Sequence, residues 1–128
     1  MIFANHAHIF PKELRPEGCV ESLMKFLDEC EIDKAVAFAP FSDRFSEGGF
    51  EGSPNTWLAG QIKGNDRLVG FGTIDFTKNL RDEVDRIADL GFKGIKLHPP
   101  YQDFVIDGPE AFQVYARAQV LGLFLSFH

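Results

Sequence analysis

The sequence predicts an α/β fold built on a parallel sheet, and three observations support this prediction. Short apolar segments alternate with longer amphipathic ones along all 128 residues. The apolar segments start about every 30 residues, which is the length of one βα unit. Strict alternation of strands with helices implies parallel strands that have the helices packed outside them. A chain of this length is enough for one domain.

Five segments are predicted as strands because they are short, apolar and rich in branched or aromatic residues. They are Ile2–His6, Ala35–Ala39, Leu68–Ile74, Phe92–Leu97 and Leu123–Phe127. The segments between them are predicted as helices from the helical spacing of their apolar residues or from N-terminal helix signals. These helices are Cys19–Cys30, a segment from Ser53-Pro54 to Gly64, Asn79–Leu90 and Pro109–Val120.

Two long loops are predicted to follow strand ends. The first runs from Phe41 to Gly52 and is long enough to act as a lid whose phenylalanines contact a substrate. Local packing of those phenylalanines is the alternative. The second loop is expected to open at Pro99-Pro100. Asp75, just past the third strand, is either a carboxylate of the site or a turn or helix-capping residue, and the latter is favoured.

Two architectures fit this pattern, a doubly wound sheet of five strands and the first part of a (β/α)8 barrel. The chain stops within LFLSFH, an apolar strand that no helix follows, whereas a complete open sheet would cover that strand. We therefore expect a TIM-barrel type of α/β fold truncated to five βα units. Residues 1–128 would form the N-terminal portion of a single barrel domain. Unpaired strands at the sheet edges predict homo-oligomers or association through those edges.

The composition excludes several classes of partner. Thirteen Lys and Arg residues against nineteen Asp and Glu residues give a formal charge of −6, so no electrostatic surface for nucleic acid or for an anionic membrane is expected. No apolar stretch reaches the roughly 18–20 residues that span a bilayer. The N-terminus does not resemble a signal peptide, and Cys19 and Cys30 match no metal or redox motif. We expect a cytoplasmic protein that acts on a small molecule.

Four histidines, His6, His8, His98 and His128, each lie at the C-terminal end of a predicted strand, where parallel α/β folds build their sites. His6 and His8 are two residues apart on a strand, so they share a face at a separation of about two 3.3 Å rises. Two neutral imidazoles at that spacing can hold one divalent transition-metal ion. The alternative is a structural or merely exposed pair. His128 is predicted to be a further ligand, with fraying of the terminus as its alternative.

The segment Gly91–Pro99, which contains the end of the fourth strand, carries two candidate functional residues. Counting by two puts Lys96 and His98 on the face opposite Ile95 and Leu97. A lysine that points into a barrel is costly to bury unless it is paired or deprotonated, so Lys96 is a candidate for function. A lysine that extends to the rim with a solvated ammonium is the alternative. His98 is either a contact to a substrate or a histidine that caps the following loop.

Several segments resemble the amidohydrolase-related family of metal-dependent TIM-barrel enzymes. They are HAHIFP, PNTWLAGQIKGNDRLVGFGTID, GFKGIKLHPPYQDF and LGLFLSFH. The resemblance runs along the whole chain, which corresponds to the first five of the family's eight strands. It implies that His6 and His8 are the metal ligands of the first strand and that His128 is the ligand of the fifth. The family's sixth-strand His and eighth-strand Asp have no counterpart here, and Ala4 stands where the family usually has Asp.

The resemblance also implies a function. We expect a metal-dependent hydrolase that attacks a small carbonyl or carboxylate compound with a metal-activated water. Zinc is the expected cofactor, with manganese and iron as alternatives. Lys96 and His98 would be catalytic residues that contact a substrate carboxylate or an oxyanion. This branch of the family also contains decarboxylases of the aminocarboxymuconate semialdehyde type. A metal-dependent non-oxidative decarboxylase is therefore one alternative, and an inactive chain that needs its missing C-terminal half is the other.

Overall fold

The computed structural model describes residues 1–128 and contains a five-stranded parallel sheet in the order β1-β2-β3-β4-β5. The strands are β1 (Phe3–His8), β2 (Lys34–Phe38), β3 (Leu68–Thr73), β4 (Gly94–Leu97) and β5 (Phe124–Phe127). Each strand pairs in parallel with the next strand of the chain. A doubly wound sheet reverses its strand order at one point, whereas a barrel does not. The unbroken order identifies a half-barrel and confirms the predicted TIM-barrel type of fold.

Six α-helices connect or follow these strands. They are α1 (Val20–Glu29), α2 (Ser42–Glu47), α3 (Pro54–Gln61), α4 (Leu80–Asp89), α5 (Pro99–Gln102) and α6 (Pro109–Leu121), and a 3-10 turn covers Pro16–Gly18. The predicted start signal at Ser53 is confirmed, because its side chain accepts a hydrogen bond from the N–H group of Thr56. The side chain of Asn79 caps α4 in the same way by accepting a hydrogen bond from the N–H group of Asp82. None of the helices combines the length and the apolar character needed to cross a membrane.

Three local predictions were wrong. The first strand continues past His6 to His8. The loop expected from Phe41 to Gly52 contains the helix α2. The Pro99-Pro100 pair does not open an irregular loop but begins the short helix α5. Proline favours the first turn of a helix because its fixed φ suits the helix and its missing N–H would have no partner there.

The outer face of the sheet, which is the face that the helices cover, carries the main hydrophobic core. Ile95 and Leu97 of β4 are fully buried there, as the period-two count predicted. The core cluster around them holds Ile9, Ala37, Ala39, Leu58, Ile74, Leu80, Val84, Ile87, Phe92, Val114 and Ala118. A smaller cluster on the same face joins Leu27 of α1 to Ala35 and Leu68 of the sheet.

The inner face of the sheet is the opposite face, and it holds fewer apolar side chains. Val36, Phe38 and Phe71 form a buried cluster there, with 5.8 Å between the ring centroids of the two phenylalanines. The ring of Phe71 reaches across β4 because Gly94 has no side chain. A Cβ atom at position 94 would lie 2.4 Å from the Phe71 ring and 2.7 Å from the carbonyl oxygen of Phe124. Gly94 therefore leaves room for the Phe71 ring to pack on the inner face of the sheet.

Candidate functional site

A bulge in β1 sets the direction of the two first-strand histidines. Ala4 pairs with Ala35 and Ala7 pairs with Ala37, so β1 uses one more residue than β2 over the same distance. Ala4 packs against the outer cluster of Leu27 and its neighbours. Ala7 pairs with a residue of the outer core, so His6 and His8, which flank it, point to the inner face. An acidic side chain at position 4 would therefore not lie beside these histidines.

His6 and His8 meet side by side at the carboxyl edge, which is the edge of the sheet where the strands end. Their Nε2 atoms are 3.0 Å apart. Two nitrogen ligands of a single zinc ion are separated by about 2.9–3.4 Å for ordinary Zn–N distances and angles. The two rings also contact the Phe38 ring, with centroid distances of 4.8 Å for His6 and 5.3 Å for His8. The two Nε2 atoms share a hydrogen bond in this arrangement, and their spacing is also one that two ligands of a single divalent ion would have.

Electrostatics at this pair favour neutral imidazoles. The pKa of His8 is lowered to about 4, chiefly by burial and then by the charges of His6, Lys96, His128 and Arg15. Burial, Lys96 and His128 also lower the pKa of His6. A histidine must be neutral to bind a metal. The lowered pKa values therefore favour the neutral form of both imidazoles, which is the form that metal binding requires.

Lys96 lies on the inner face close to the same aromatic ring. Its side chain is only 1% exposed, and its Nζ lies 4.8 Å from the centroid of the Phe38 ring. The ammonium donates a 3.5 Å hydrogen bond to the carbonyl oxygen of Phe127 and forms no ion pair. Burial lowers the pKa of Lys96. The lysine is thus held inside the half-barrel and does not extend to a solvated rim.

His98 and His128 form a second pair at the carboxyl edge. Their rings stack with a centroid distance of 4.1 Å and an interplanar angle of 11°. The Nδ1 atom of His98 accepts a 3.4 Å hydrogen bond from the N–H of Tyr101, so His98 caps α5. The Oε1 atom of Gln102 accepts a 2.7 Å hydrogen bond from the main-chain N–H of His98. Burial and the charges of His128 and Lys96 lower the pKa of His98.

The structure brings the predicted site residues to one face but does not join the three predicted ligands. His6, His8 and His128 all lie at the inner side of the carboxyl edge, and the charge of His128 reaches both members of the first pair. His128, however, stacks on His98. No group of three or more His, Cys, Asp or Glu side chains is close enough to share one ion. Of the three predicted ligands, the structure therefore brings only His6 and His8 within contact of each other.

A pocket with a volume of about 610 Å³ opens beside His8. The residues that line it come from the segments that follow β1, β2 and β4, and they include Phe10, Arg15, Phe41, Arg44 and Tyr101. Sequence reasoning missed both arginines and the tyrosine. The signal that could have found them is their position after strand ends, where barrel enzymes bind their substrates.

The loop that was predicted as a lid contributes one phenylalanine to the pocket and buries another. Phe41 lines the pocket beside His8. Phe45 is buried instead, and its ring packs against Phe50 and Trp57 with centroid distances of 5.2 and 5.7 Å. Asp75 has the turn role that was favoured, because its Oδ1 atom accepts hydrogen bonds from the N–H and the hydroxyl of Thr77.

A half-barrel whose strand-end histidines and pocket share one edge has the arrangement of a TIM-barrel enzyme. Comparison with protein families makes this assignment specific. The amidohydrolase family model matches residues 6–128, and the chain belongs to that family. The resemblance drawn from the sequence is thereby confirmed. No curated protein sequence matches the chain significantly.

Three solved structures share the fold at low sequence identity. A probable 2-pyrone-4,6-dicarboxylic acid hydrolase from Acinetobacter baumannii, solved with citric acid bound, has a TM-score of 0.70 at 20% identity and matches 99% of this chain. A protein from Staphylococcus aureus that is described as an amidohydrolase has a TM-score of 0.75 at 16% identity and also matches 99% of this chain. IDCase from Metarhizium anisopliae, in apo form, has a TM-score of 0.73 at 14% identity and matches the whole chain. The match covers 49%, 47% and 50% of these proteins, so the chain spans about half their length.

Proposed function

We propose that residues 1–128 are the N-terminal portion of a metal-dependent hydrolase domain that acts on a small carbonyl or carboxylate compound. The observation that carries this proposal is the pair of neutral imidazoles, His6 and His8, whose Nε2 atoms are 3.0 Å apart beside a pocket. Membership of the amidohydrolase family supports the class of reaction. The neighbour described as a 2-pyrone-4,6-dicarboxylic acid hydrolase supports a small acidic substrate.

The two imidazoles would hold a divalent ion through their Nε2 atoms, with zinc as the preferred metal and manganese or iron as alternatives. A divalent ion bound there supplies Lewis acidity and lowers the pKa of a coordinated water. His128 can add a third nitrogen only if its ring leaves the stack with His98. Phe38 packs against both imidazoles and limits their movement.

Lys96 and His98 would act on the substrate and not on the metal. The Lys96 ammonium has no carboxylate partner, so it is free to stabilise a substrate carboxylate or the negative charge that develops on a carbonyl oxygen. His98 has one ring nitrogen engaged in capping α5. Its ring remains at the carboxyl edge, where it can orient a substrate.

A non-oxidative decarboxylase is the second candidate. It is favoured by the same unpaired Lys96 ammonium, which would hold a carboxylate close to the imidazole pair. The third alternative is a chain that is inactive until another half-barrel completes it. The unpaired outer edges of β1 and β5 favour association through backbone hydrogen bonds.

The proposal is tested by zinc binding to the EDTA-treated chain, measured by isothermal titration calorimetry at pH 7. We expect one zinc ion per chain, and we expect His6→Gln and His8→Gln each to weaken binding at least about tenfold. Cys30→Ser removes the exposed thiol, a competing zinc ligand, and should leave the affinity unchanged. The absence of zinc, manganese and iron binding, or unchanged binding by His8→Gln, would contradict the proposal.

A second experiment separates the three candidate functions. The zinc-loaded chain is incubated with small carboxylic acids, esters and lactones, and carbon dioxide release is measured together with hydrolysis. Hydrolysis that is lost in Lys96→Met supports the hydrolase, and carbon dioxide release supports the decarboxylase. If the chain binds zinc but catalyses neither reaction, size-exclusion chromatography with light scattering will show whether it associates through its edges.

A further inference from the structure

Gln102 of α5 holds both main-chain groups of His98. The main-chain N–H of His98 donates a 2.7 Å hydrogen bond to the Oε1 atom of Gln102. The main-chain N–H of Gln102 donates a 2.8 Å hydrogen bond to the carbonyl oxygen of His98. His98, which directly follows β4, is therefore fixed in two directions by one residue of the next helix.

The other end of the Gln102 amide reaches the end of β3. Its Nε2 atom donates hydrogen bonds of 2.9 Å to the carbonyl oxygen of Ile74 and 3.2 Å to the hydroxyl oxygen of Thr73. The acceptor and both donors of the side-chain amide are thereby engaged, and the partners fix which amide atom is the oxygen. We call these hydrogen bonds of the side-chain amide to His98, Ile74 and Thr73 the Gln102 clamp.

Thr73 is a rigid anchor for this clamp because Asn55 of α3 holds it in turn. Both residues are almost fully buried, with exposures of 1% for Thr73 and 3% for Asn55. The N–H of Thr73 donates a 2.8 Å hydrogen bond to Oδ1 of Asn55, whose Nδ2 donates a 2.9 Å bond to the carbonyl oxygen of Thr73. Buried polar groups that are fully paired form rigid networks. A continuous path of hydrogen bonds therefore runs from α3 through β3 to His98.

The position of the His98 main chain decides what its ring can offer. The Nδ1 atom accepts a 3.4 Å hydrogen bond from the N–H of Tyr101, so the proton of the neutral ring lies on Nε2. Because this bond is long, it depends on the main chain of His98 staying in place. The hydroxyl of Tyr101 accepts a 3.0 Å bond from Nε of Arg44 and donates a 2.8 Å bond to Asp43. These contacts hold α5 on α2 independently of Gln102.

We propose that Gln102 is a positioning residue for His98, because it ties the main chain of His98 to the end of β3 and so holds the ring in the tautomer with a free Nε2–H. That N–H can donate a hydrogen bond to an acceptor atom of a substrate. Without the Gln102 clamp, the ring would exchange between tautomers. The inference rests on the proposed function, in which His98 orients the substrate.

The test compares Gln102→Met with the wild-type chain in EDTA by NMR. Methionine has a similar length but makes none of the hydrogen bonds of the clamp. We expect the main-chain N–H of His98 to exchange with solvent about tenfold faster at pH 7, because it loses its acceptor. At pH 8, where His98 is neutral, the ¹⁵N shifts of its ring nitrogens should change from those of the Nε2–H tautomer to those of a mixture.

Further variants divide the clamp into its parts. Gln102→Glu keeps the acceptor for the His98 N–H but loses both donors to β3, so its exchange rate should fall between those of the wild type and Gln102→Met. Thr73→Val removes the hydroxyl and should speed this exchange about twofold or more, whereas Thr73→Ser keeps the hydroxyl and should match the wild type. Gln113→Met makes the same change on the exposed side of α6 and should alter neither measurement.

Four outcomes would overturn the inference. They are a wild-type His98 that already mixes tautomers, unchanged exchange and tautomer in Gln102→Met, equal effects in Gln113→Met, and faster exchange in Gln102→Met without a change of tautomer. The last outcome would give Gln102 a structural role alone.

Zinc titration of Gln102→Met keeps this inference apart from the proposed function. Gln102 forms its side-chain hydrogen bonds away from His6 and His8, so zinc affinity should stay within about twofold of the wild type. Normal zinc binding with an unchanged His98 ends the inference alone. A changed His98 in Gln102→Met, when neither chain binds a metal, ends the metal-dependent function alone.

Discussion

The two faces of the sheet differ most clearly at two neighbouring residues of β4. Ile95 points to the outer face and Lys96 to the inner face, and both side chains are almost fully buried, with exposures of 0% and 1%. Burial of Ile95 removes apolar surface from water and stabilises the fold. Burial of Lys96 removes an ammonium from water and finds no carboxylate in return. The outer face therefore stabilises the fold, whereas the inner face holds a buried ammonium that opposes folding.

The largest effect that would test this difference is expected at Ile95. Ile95→Ala should lower the free energy of unfolding by about 3 kcal/mol, because it removes buried methylene groups and leaves a cavity. Phe124→Ala is the matched change on the inner face. Although it deletes a larger side chain, that side chain is 71% exposed, so the loss should stay below about 1 kcal/mol.

Urea denaturation followed by circular dichroism measures both variants under the same conditions. A loss in Phe124→Ala as large as that in Ile95→Ala would show that the inner face is packed as tightly as the outer one. The contrast in stability between the outer and the inner face would then be wrong.

Much of the fold could be predicted because local rules govern it. The period-two pattern placed Ile95 and Lys96 on opposite faces, and the alternation of strands with helices predicted that the strands are parallel. The period-two pattern could not predict the bulge in β1. A strict period of two would put Ala4 and His6 on one face, but the extra residue turns Ala4 to the outer face. Bulges depend on pairing with the neighbouring strand, which periodicity in one segment does not report.

The candidate site was predictable where it lies on strands and was missed where it lies on the connecting segments. His6, His8 and Lys96 follow from strand positions, and the structure places them around one Phe38 ring. The Arg44–Tyr101 contact joins residues 57 positions apart. It depends on how two short helices fold over the carboxyl edge, and no local pattern in the sequence specifies that arrangement.

A second test concerns the acid sensitivity of the inner face. The pKa of His8 is about 4 in the folded chain and has its ordinary value of 6.5 in the unfolded chain. Between these values the unfolded state binds more protons, so the free energy of unfolding falls as the pH decreases from 6.5 toward 4. We expect a loss of about 2 kcal/mol from pH 7 to pH 5 in the presence of EDTA. His8→Gln should flatten this dependence, and an unchanged slope in that variant would exclude His8 as its source.

The smallest expected effect is at Lys96, and its sign is the informative part. The folded-state pKa of Lys96 lies below its ordinary value of 10.5, so the buried ammonium opposes folding at pH 7. Lys96→Met keeps the length of the side chain and its contact with the Phe38 ring but removes the charge. The free energy of unfolding should rise by about 1 kcal/mol, whereas the exposed control Lys63→Met should change by less than about 0.5 kcal/mol.

Urea denaturation at pH 7 and pH 10 supplies the second readout, because the wild type should gain stability toward pH 10 and the variant should gain less. A less stable Lys96→Met would mean that the contacts of the ammonium with Phe38 and with the Phe127 carbonyl outweigh its desolvation, and the inner face would then stabilise the fold as the outer face does.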